Sequence, residues 1–264
     1  MTTAAAGGSP AGARLERPVT LRWWKEAIYI AAFYAVYSVV RNQFGSAAVG
    51  RNVAFGHARE VISIERWLGS FHEETIQQWF LDDRAFIQWW NLFYGTFHFV
   101  VTTVAIVWLF RKQPWRYVRW RTALAATTGI ALVGFALFPL MPPRLLPARY
   151  GFVDTLQAYG GLWSFDSGAM QKVSNQYAAM PSLHFGWSLW CCLVFLPALR
   201  RPWARALALA YPVLTLFAIV VTANHYWLDA AGGALCLGIG ILVGRWWDRR
   251  SRALPETAAV AAPA

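Results

Sequence analysis

The sequence predicts an all-α polytopic membrane protein with six transmembrane helices and a surface amphipathic helical region between the first two. Two observations carry this reading. Of the 264 residues, 57% are hydrophobic and only 14% charged, whereas about a quarter are charged in soluble proteins. The apolar residues also gather into runs near the ~20 residues that a helix needs to cross a bilayer. A single membrane domain, 19–250, is expected between Ala/Pro-rich tails at 1–18 and 251–264, whose composition predicts disorder. No apolar core marks the first tail as a signal peptide.

The first span, 23–40, is entered through Arg22, Trp23, Trp24 and Lys25, an interfacial aromatic and basic anchor. Hydropathy then breaks until Arg84. Val61, Ile64 and Leu68 recur there at helical spacing, and Ser70 with Glu73 has the spacing of a capping box. These features predict two amphipathic helices on the membrane surface. The second span, 85–110, carries Asn91, Gly95, His98 and Thr102 as one polar stripe, expected to face the bundle interior. A short basic loop ending at Arg121 leads to the third span, 122–140, which Pro139, Pro142 and Pro143 end; Arg144 follows directly.

From Arg144 to Ala179 the chain is too polar to span and too long for a plain connection, which marks it as functional. The remaining spans are 182–199, 206–222 and 225–246; Gly240 and Gly244 in the last predict close helix approach. Cys191, Cys192 and Cys236 lie within apolar runs without pairing or zinc spacing, as small packing residues do.

The net charge of +11 does not point to nucleic acid, because the basic residues sit in clusters between apolar runs. Sixteen of the 24 Lys and Arg fall on the side that holds both termini. The positive-inside rule therefore predicts cytoplasmic termini in a cell membrane. Arg144, His184 and His225 then share the extracytoplasmic side.

Those three residues are the candidate site. His225 and Asp229 lie four apart, so a helix puts them on one face, where the carboxylate fixes the imidazole tautomer and frees its other nitrogen. Met180-Pro181-Ser182-Leu183-His184 opens another apolar run, with Pro181 expected at the first helical position and the helix N-terminus turned toward an anion. Ser182 adds a hydroxyl and Arg144 a bidentate guanidinium. Phosphoryl transfer needs such a set: His225 as nucleophile, His184 as acid and then base, and cations for the phosphate. Arg149, Lys172, His98 and Asn91 are further candidates for binding substrate. Metal binding by His184, His225 and Asp229 is the alternative chemistry, but no further carboxylate or cysteine cluster completes a shell. Neither metal nor cofactor is expected.

Pro181-Ser182-Leu183-His184 and His225-x3-Asp229 resemble the second and third signatures of the type 2 phosphatidic acid phosphatase superfamily. The resemblance implies a six-helix membrane core with a third-motif histidine nucleophile, its orienting aspartate and a second-motif histidine acid. These roles fall on His225, Asp229 and His184. Two departures stand out. Leu137 and Leu145 replace the lysine and proline around Arg144, and Ala218 and Ile219 replace the Ser-Arg before His225. Fewer cations suit a phosphodiester, with one charge, better than a monoester with nearly two. Pro142-Pro143-Arg144, Met180 to His184 and Asn224 to Asp229 are also similar to the inositolphosphotransferase branch, which includes fungal inositol phosphorylceramide synthase. Transfer of a phosphoryl or phosphoinositol group from a lipid donor, phospholipid or polyprenyl phosphate, to an alcohol is therefore expected. Hydrolysis of a lipid phosphate or polyprenyl diphosphate is the alternative.

Overall fold

The computed structural model describes residues 21–43, 50–160 and 176–253. The tail expected at 1–18 lies outside them, as do Lys172 and residues 254–264 of the tail expected at 251–264, whose first three residues continue the last helix. Nine α-helices are present among the described residues: α1 (Trp23–Gln43), α2 (Arg51–Trp67), α3 (Glu73–Gln78), α4 (Arg84–Lys112), α5 (Pro114–Leu137), α6 (Thr155–Tyr159), α7 (Leu183–Phe195), α8 (Pro202–Val221) and α9 (Trp227–Ala253). No strand occurs among these residues; an isolated bridge joins Leu140 to Ala178.

Local chemistry sets the helix ends. The Asp83 carboxylate accepts from Phe86 N at 3.0 Å to cap α4, the kind of bond that contributes about 1 kcal/mol. Pro114 and Pro202 open α5 and α8, where a missing N–H costs nothing. Four helices, α4, α5, α8 and the 227–251 part of α9, are long and apolar enough to cross a membrane. The sequence predicts six. The fourth predicted span corresponds to Leu183–Ala198, which is apolar but shorter. The first corresponds to α1, where Lys25, Glu26 and the polar last turn dilute the apolar run.

Outward faces carry Phe99, Val100 and Val104 on α4, Leu207 and Val213 on α8, and Leu235 and Leu242 on α9, all exposed. The interior packs Ala105, Leu109, Tyr117, Trp120, Trp190, Cys191, Val194 and Leu237 between α4, α5, α7 and α9. Gly240 and Gly244 allow the α5–α9 contact: a Cβ at Gly240 would sit 2.2 Å from Thr127 Oγ1, and one at Gly244 2.5 Å from the Arg119 carbonyl. The three cysteines are buried and free. Glu26 ties α1 to α5 through Arg121 and the Tyr117 hydroxyl.

The region between α1 and α4 differs from the sequence reading in detail. Helix α2 buries Ala54, Ala58, Val61, Ile62 and Glu65, while Ile64 and Leu68 are exposed. The two small alanines explain the choice of face, since they let α2 approach Leu140, Met141 and Tyr226 closely. Ser70 and Glu73 form no capping box. The Ser70 hydroxyl turns back to the Glu65 carbonyl, and Glu73 is buried with its carboxylate bound elsewhere. Gln77 anchors α3 to Val153 through both of its amide atoms, each bond 2.9 Å. Together α2, α3 and the 138–160 segment cover one end of the helical bundle.

Candidate active site

The turn between α8 and α9 delivers His225. Ala223 takes a left-handed conformation, φ 52°, which is unfavourable for a residue with a Cβ. The N–H groups of Asn224 and His225 both bond to the Ile219 carbonyl, at 3.0 and 3.1 Å. These bonds point the His225 ring inward, where it is 4% exposed. Its Nδ1 lies 2.9 Å from the Ala179 carbonyl and 3.2 Å from Asp229 Oδ2. Both neighbours are acceptors, so Nδ1 carries the proton and Nε2 keeps its lone pair. Nε2 is buried and meets no hydrogen-bond partner among the described residues. Asp229 is itself oriented, because Oδ2 also accepts from Tyr226 N at 3.0 Å.

His184 comes from the first turn of α7. Its ring stacks on Tyr94, with centroids 4.2 Å apart, and lies 4.1 Å from His98 and 5.5 Å from His225. The His98 Nδ1 is bound to the Tyr94 carbonyl at 3.0 Å, so His98 joins the cluster behind His184. Glycines seat the segment before α7. A Cβ on Gly134 would meet Pro181 Cδ at 2.7 Å, and one on Gly233 would meet the Ser182 carbonyl at 2.2 Å. Ser182 N also donates to the Asp229 carbonyl at 2.8 Å, which locks the two histidine-bearing helix starts together.

Arg144 reaches the same end of the bundle. Its backbone N–H donates to the Ala223 carbonyl at 2.8 Å. Its Nε donates to Asn224 Oδ1 at 3.0 Å and its Nη1 to Asp154 Oδ2 at 2.8 Å. The guanidinium is thus held beside the residue that precedes His225, with donors to spare.

The other candidates are placed differently. Pro181 precedes the cap and does not open α7; the N-cap is Ser182, whose hydroxyl oxygen accepts from Phe185 N at 3.5 Å. Ser182 is fully buried, and its hydroxyl fixes the helix start. Asn91 is not brought to the histidines. Its amide bonds the Thr155 and Gly160 carbonyls and accepts from the Thr155 hydroxyl, so it secures the α6 segment. Arg149 is exposed and lies over Phe55 and Tyr150. Tyr94 and Asp154 were not singled out from sequence, and Asn224 entered only as the first residue of the motif Asn224 to Asp229. Tyr94 stands one helical turn before His98 on the polar stripe, a signal that could have found it.

An apolar groove of about 340 Å³ opens between α4, α7 and α8, lined by Phe93, Phe97, Val101, Phe195, Leu207 and Tyr211. Phe93 also lines the small cavity beside His184 and His98, so groove and site adjoin. Among the described residues no three His, Cys, Asp or Glu side chains are grouped to hold a metal.

An all-helical bundle with apolar outer faces describes a membrane protein, and this one holds paired histidines at one end. Residues 59–243 match the family model of the PAP2 superfamily, and the chain belongs to that superfamily. No curated protein and no solved structure gives a significant match.

Proposed function

We propose that this chain is an integral-membrane phosphotransferase that moves a phosphoryl or phosphoinositol group from a lipid donor to an alcohol through a phosphohistidine on His225. The observation that carries this is the state of the His225 ring: Nδ1 engaged by two acceptors, Nε2 without a partner among the described residues, and the His184 ring 5.5 Å away. The Nε2 lone pair forms the N–P bond as the donor's P–O bond breaks, and His184 gives its proton to the departing oxygen. His184 then takes a proton from the acceptor alcohol, whose oxygen displaces Nε2 from phosphorus. The spare donors of Arg144 meet the charge on the phosphoryl oxygens, and the groove along α4 and α8 takes the donor's hydrocarbon. The scheme needs no metal, so a chelator should leave turnover unchanged.

Ala218 and Ile219, both fully buried, favour a diester donor. A cation at Ile219 would suit the second charge of a monoester, and this chain has packed that position with hydrocarbon. Superfamily membership favours a second reading, hydrolysis of a lipid phosphate or polyprenyl diphosphate with water as acceptor.

Rapid quench of purified protein with labelled donor should trap label that is stable in base and lost in acid. The trapped label should be absent from His225→Ala; a His225→Ala protein with wild-type turnover overturns the mechanism. Labelled phosphatidylinositol and a polyprenyl phosphate, supplied separately with an alcohol, distinguish the two reactions. Phosphate released from the monoester, with phosphatidylinositol untouched, would leave only the phosphatase.

A further inference from the structure

Two buried glutamates lie outside this chemistry. Glu65 of α2 and Glu73 of α3 are both fully buried. Glu65 Oε1 accepts from Leu228 N at 2.8 Å, and Glu73 Oε1 accepts from Trp227 N at 3.3 Å. With Tyr226 N on Asp229 Oδ2, three consecutive N–H groups at the start of α9 each meet a different carboxylate. A helix N-terminus favours negative charge, but one such end does not offset three buried carboxylates. The remaining oxygen of each glutamate, Oε2, is buried without a donor among the described residues, and the two side chains lie in hydrogen-bonding contact with each other. One proton between them supplies the donor that both lack.

We propose that Glu65 and Glu73 share one proton and serve as positioning residues, fastening the first turn of α9, and with it His225 and Asp229, to the α2–α3 cover. The proposal rests on the phosphohistidine reading for its effect on turnover, and on the buried geometry alone for its effect on stability. Each glutamate spans from the cover to the helix whose preceding residues form the nucleophile's turn. Losing the shared proton leaves two carboxylates in contact with no solvent, which pushes the cover from the helix. The titratable groups that face the pair are Asp229 and Tyr226, and Tyr226 in turn faces Tyr150.

Burial first, and then Glu73, raises the Glu65 carboxyl from 4.5 to about 9. The folded chain therefore keeps a proton that the unfolded chain loses near pH 4.5. The pair's stabilisation is complete below that pH and declines as pH rises toward about 9.

The test compares wild type, Glu65→Gln, Glu65→Ala and His225→Ala as purified full-length protein in lipid nanodiscs between about pH 6 and 10. Tm and turnover of labelled phosphatidylinositol and of a polyprenyl phosphate, each supplied with an alcohol, are read in parallel. A glutamine keeps the acceptor for Leu228 N and supplies Glu73 with a permanent donor. Glu65→Gln should therefore flatten the fall of Tm with pH and remove the alkaline loss of turnover. Glu65→Ala should lower kcat on the order of ten- to a hundredfold with little change in KM, as misplacement of a reacting group does, and Glu65→Gln should restore it. Matching Tm and turnover profiles for Glu65→Gln and wild type overturn the proposal, and that comparison stands even where Glu65→Ala does not accumulate. His225→Ala that retains turnover overturns the phosphohistidine reading, while the Tm comparison still decides the pair.

Discussion

Arg144 shows what a single residue gains and gives up in this fold. Asn224 takes its Nε and Asp154 one Nη1 bond, so two neighbours fix the plane of the guanidinium and leave the rest of the fork for an anion. Asp154 also removes some of its positive charge, which again suits a donor with one negative charge better than one with two. Lysine could reach the phosphate or Asp154, but a single ammonium cannot hold the planar, divided arrangement. Arg144→Lys should raise KM for the donor by on the order of ten- to a hundredfold, with a smaller loss in kcat, read from steady-state kinetics in mixed micelles. An unchanged KM would remove Arg144 from donor binding. Arg144, His184, His225 and Asp229 were legible because each stands at the end of an apolar run or at a helical spacing. Asn224 and Asp154 were not, since their pairing with Arg144 spans 80 and 10 residues and follows no local period. The sequence marks Glu73 only as the partner of Ser70 in a capping box and gives Glu65 no role, and only the packing of α2 and α3 against α9 shows both buried.

At the scale of elements, close backbone contact replaces side-chain linkage between the two histidine-bearing helices. The start of α7 crosses α9 where Gly186 and Gly233 face each other; a Cβ on Gly186 would come within 3.1 Å of the Gly233 carbonyl. Gly233 has still less room, because its Cβ would meet the Ser182 carbonyl at 2.2 Å, and backbone on a helix start cannot yield as a side-chain tip does. Gly233→Ala should therefore push α7 off α9 and break the Ser182 N to Asp229 bond. The expected cost is about 1–3 kcal/mol, as for other overpacked sites, with turnover falling further than stability because His184 moves relative to His225. Gly238→Ala is the matched control, as no heavy atom lies within 4 Å of that Cβ. Equal Tm and kcat for the two variants would show that this crossing does not set the distance between the rings. The Gly240–Gly244 spacing was readable as a packing signal, but Gly233 belongs to no such repeat. Its need for hydrogen comes from the neighbouring helix start, which sequence does not position.

For the molecule as a whole, the distribution of charge and the geometry of the site make one joint demand. His184, His225 and Arg144 meet at one end of the bundle although they stand at the starts of α7 and α9 and after the end of α5. Helices that run alternately up and down produce that meeting if 23–43 and 183–198 also cross, which is the six-span reading. Helix α1 supports this, since Ile28, Tyr29, Ile30, Tyr34, Val36 and Val39 are exposed and lipid is the solvent such a surface tolerates. Four helices are long and apolar enough to cross a membrane; the shortness of 183–198 and the polar ends of 23–43 leave those two segments below that measure. The reading is tested by single cysteines, aided by the burial of the native Cys191, Cys192 and Cys236, which keeps background labelling low. Gln157→Cys lies exposed on α6 near the site, and Arg200→Cys lies exposed between α7 and α8. With a membrane-impermeant maleimide on intact cells, Gln157→Cys should be labelled at once and Arg200→Cys only after permeabilisation. The reverse pattern would turn the site toward the cytoplasm and demand a cytoplasmic donor. Labelling of both positions from outside would mean that 183–198 does not cross. The two histidines would then lie at the membrane surface, held against the bundle by the Ser182–Asp229 bond and the glycine contacts alone.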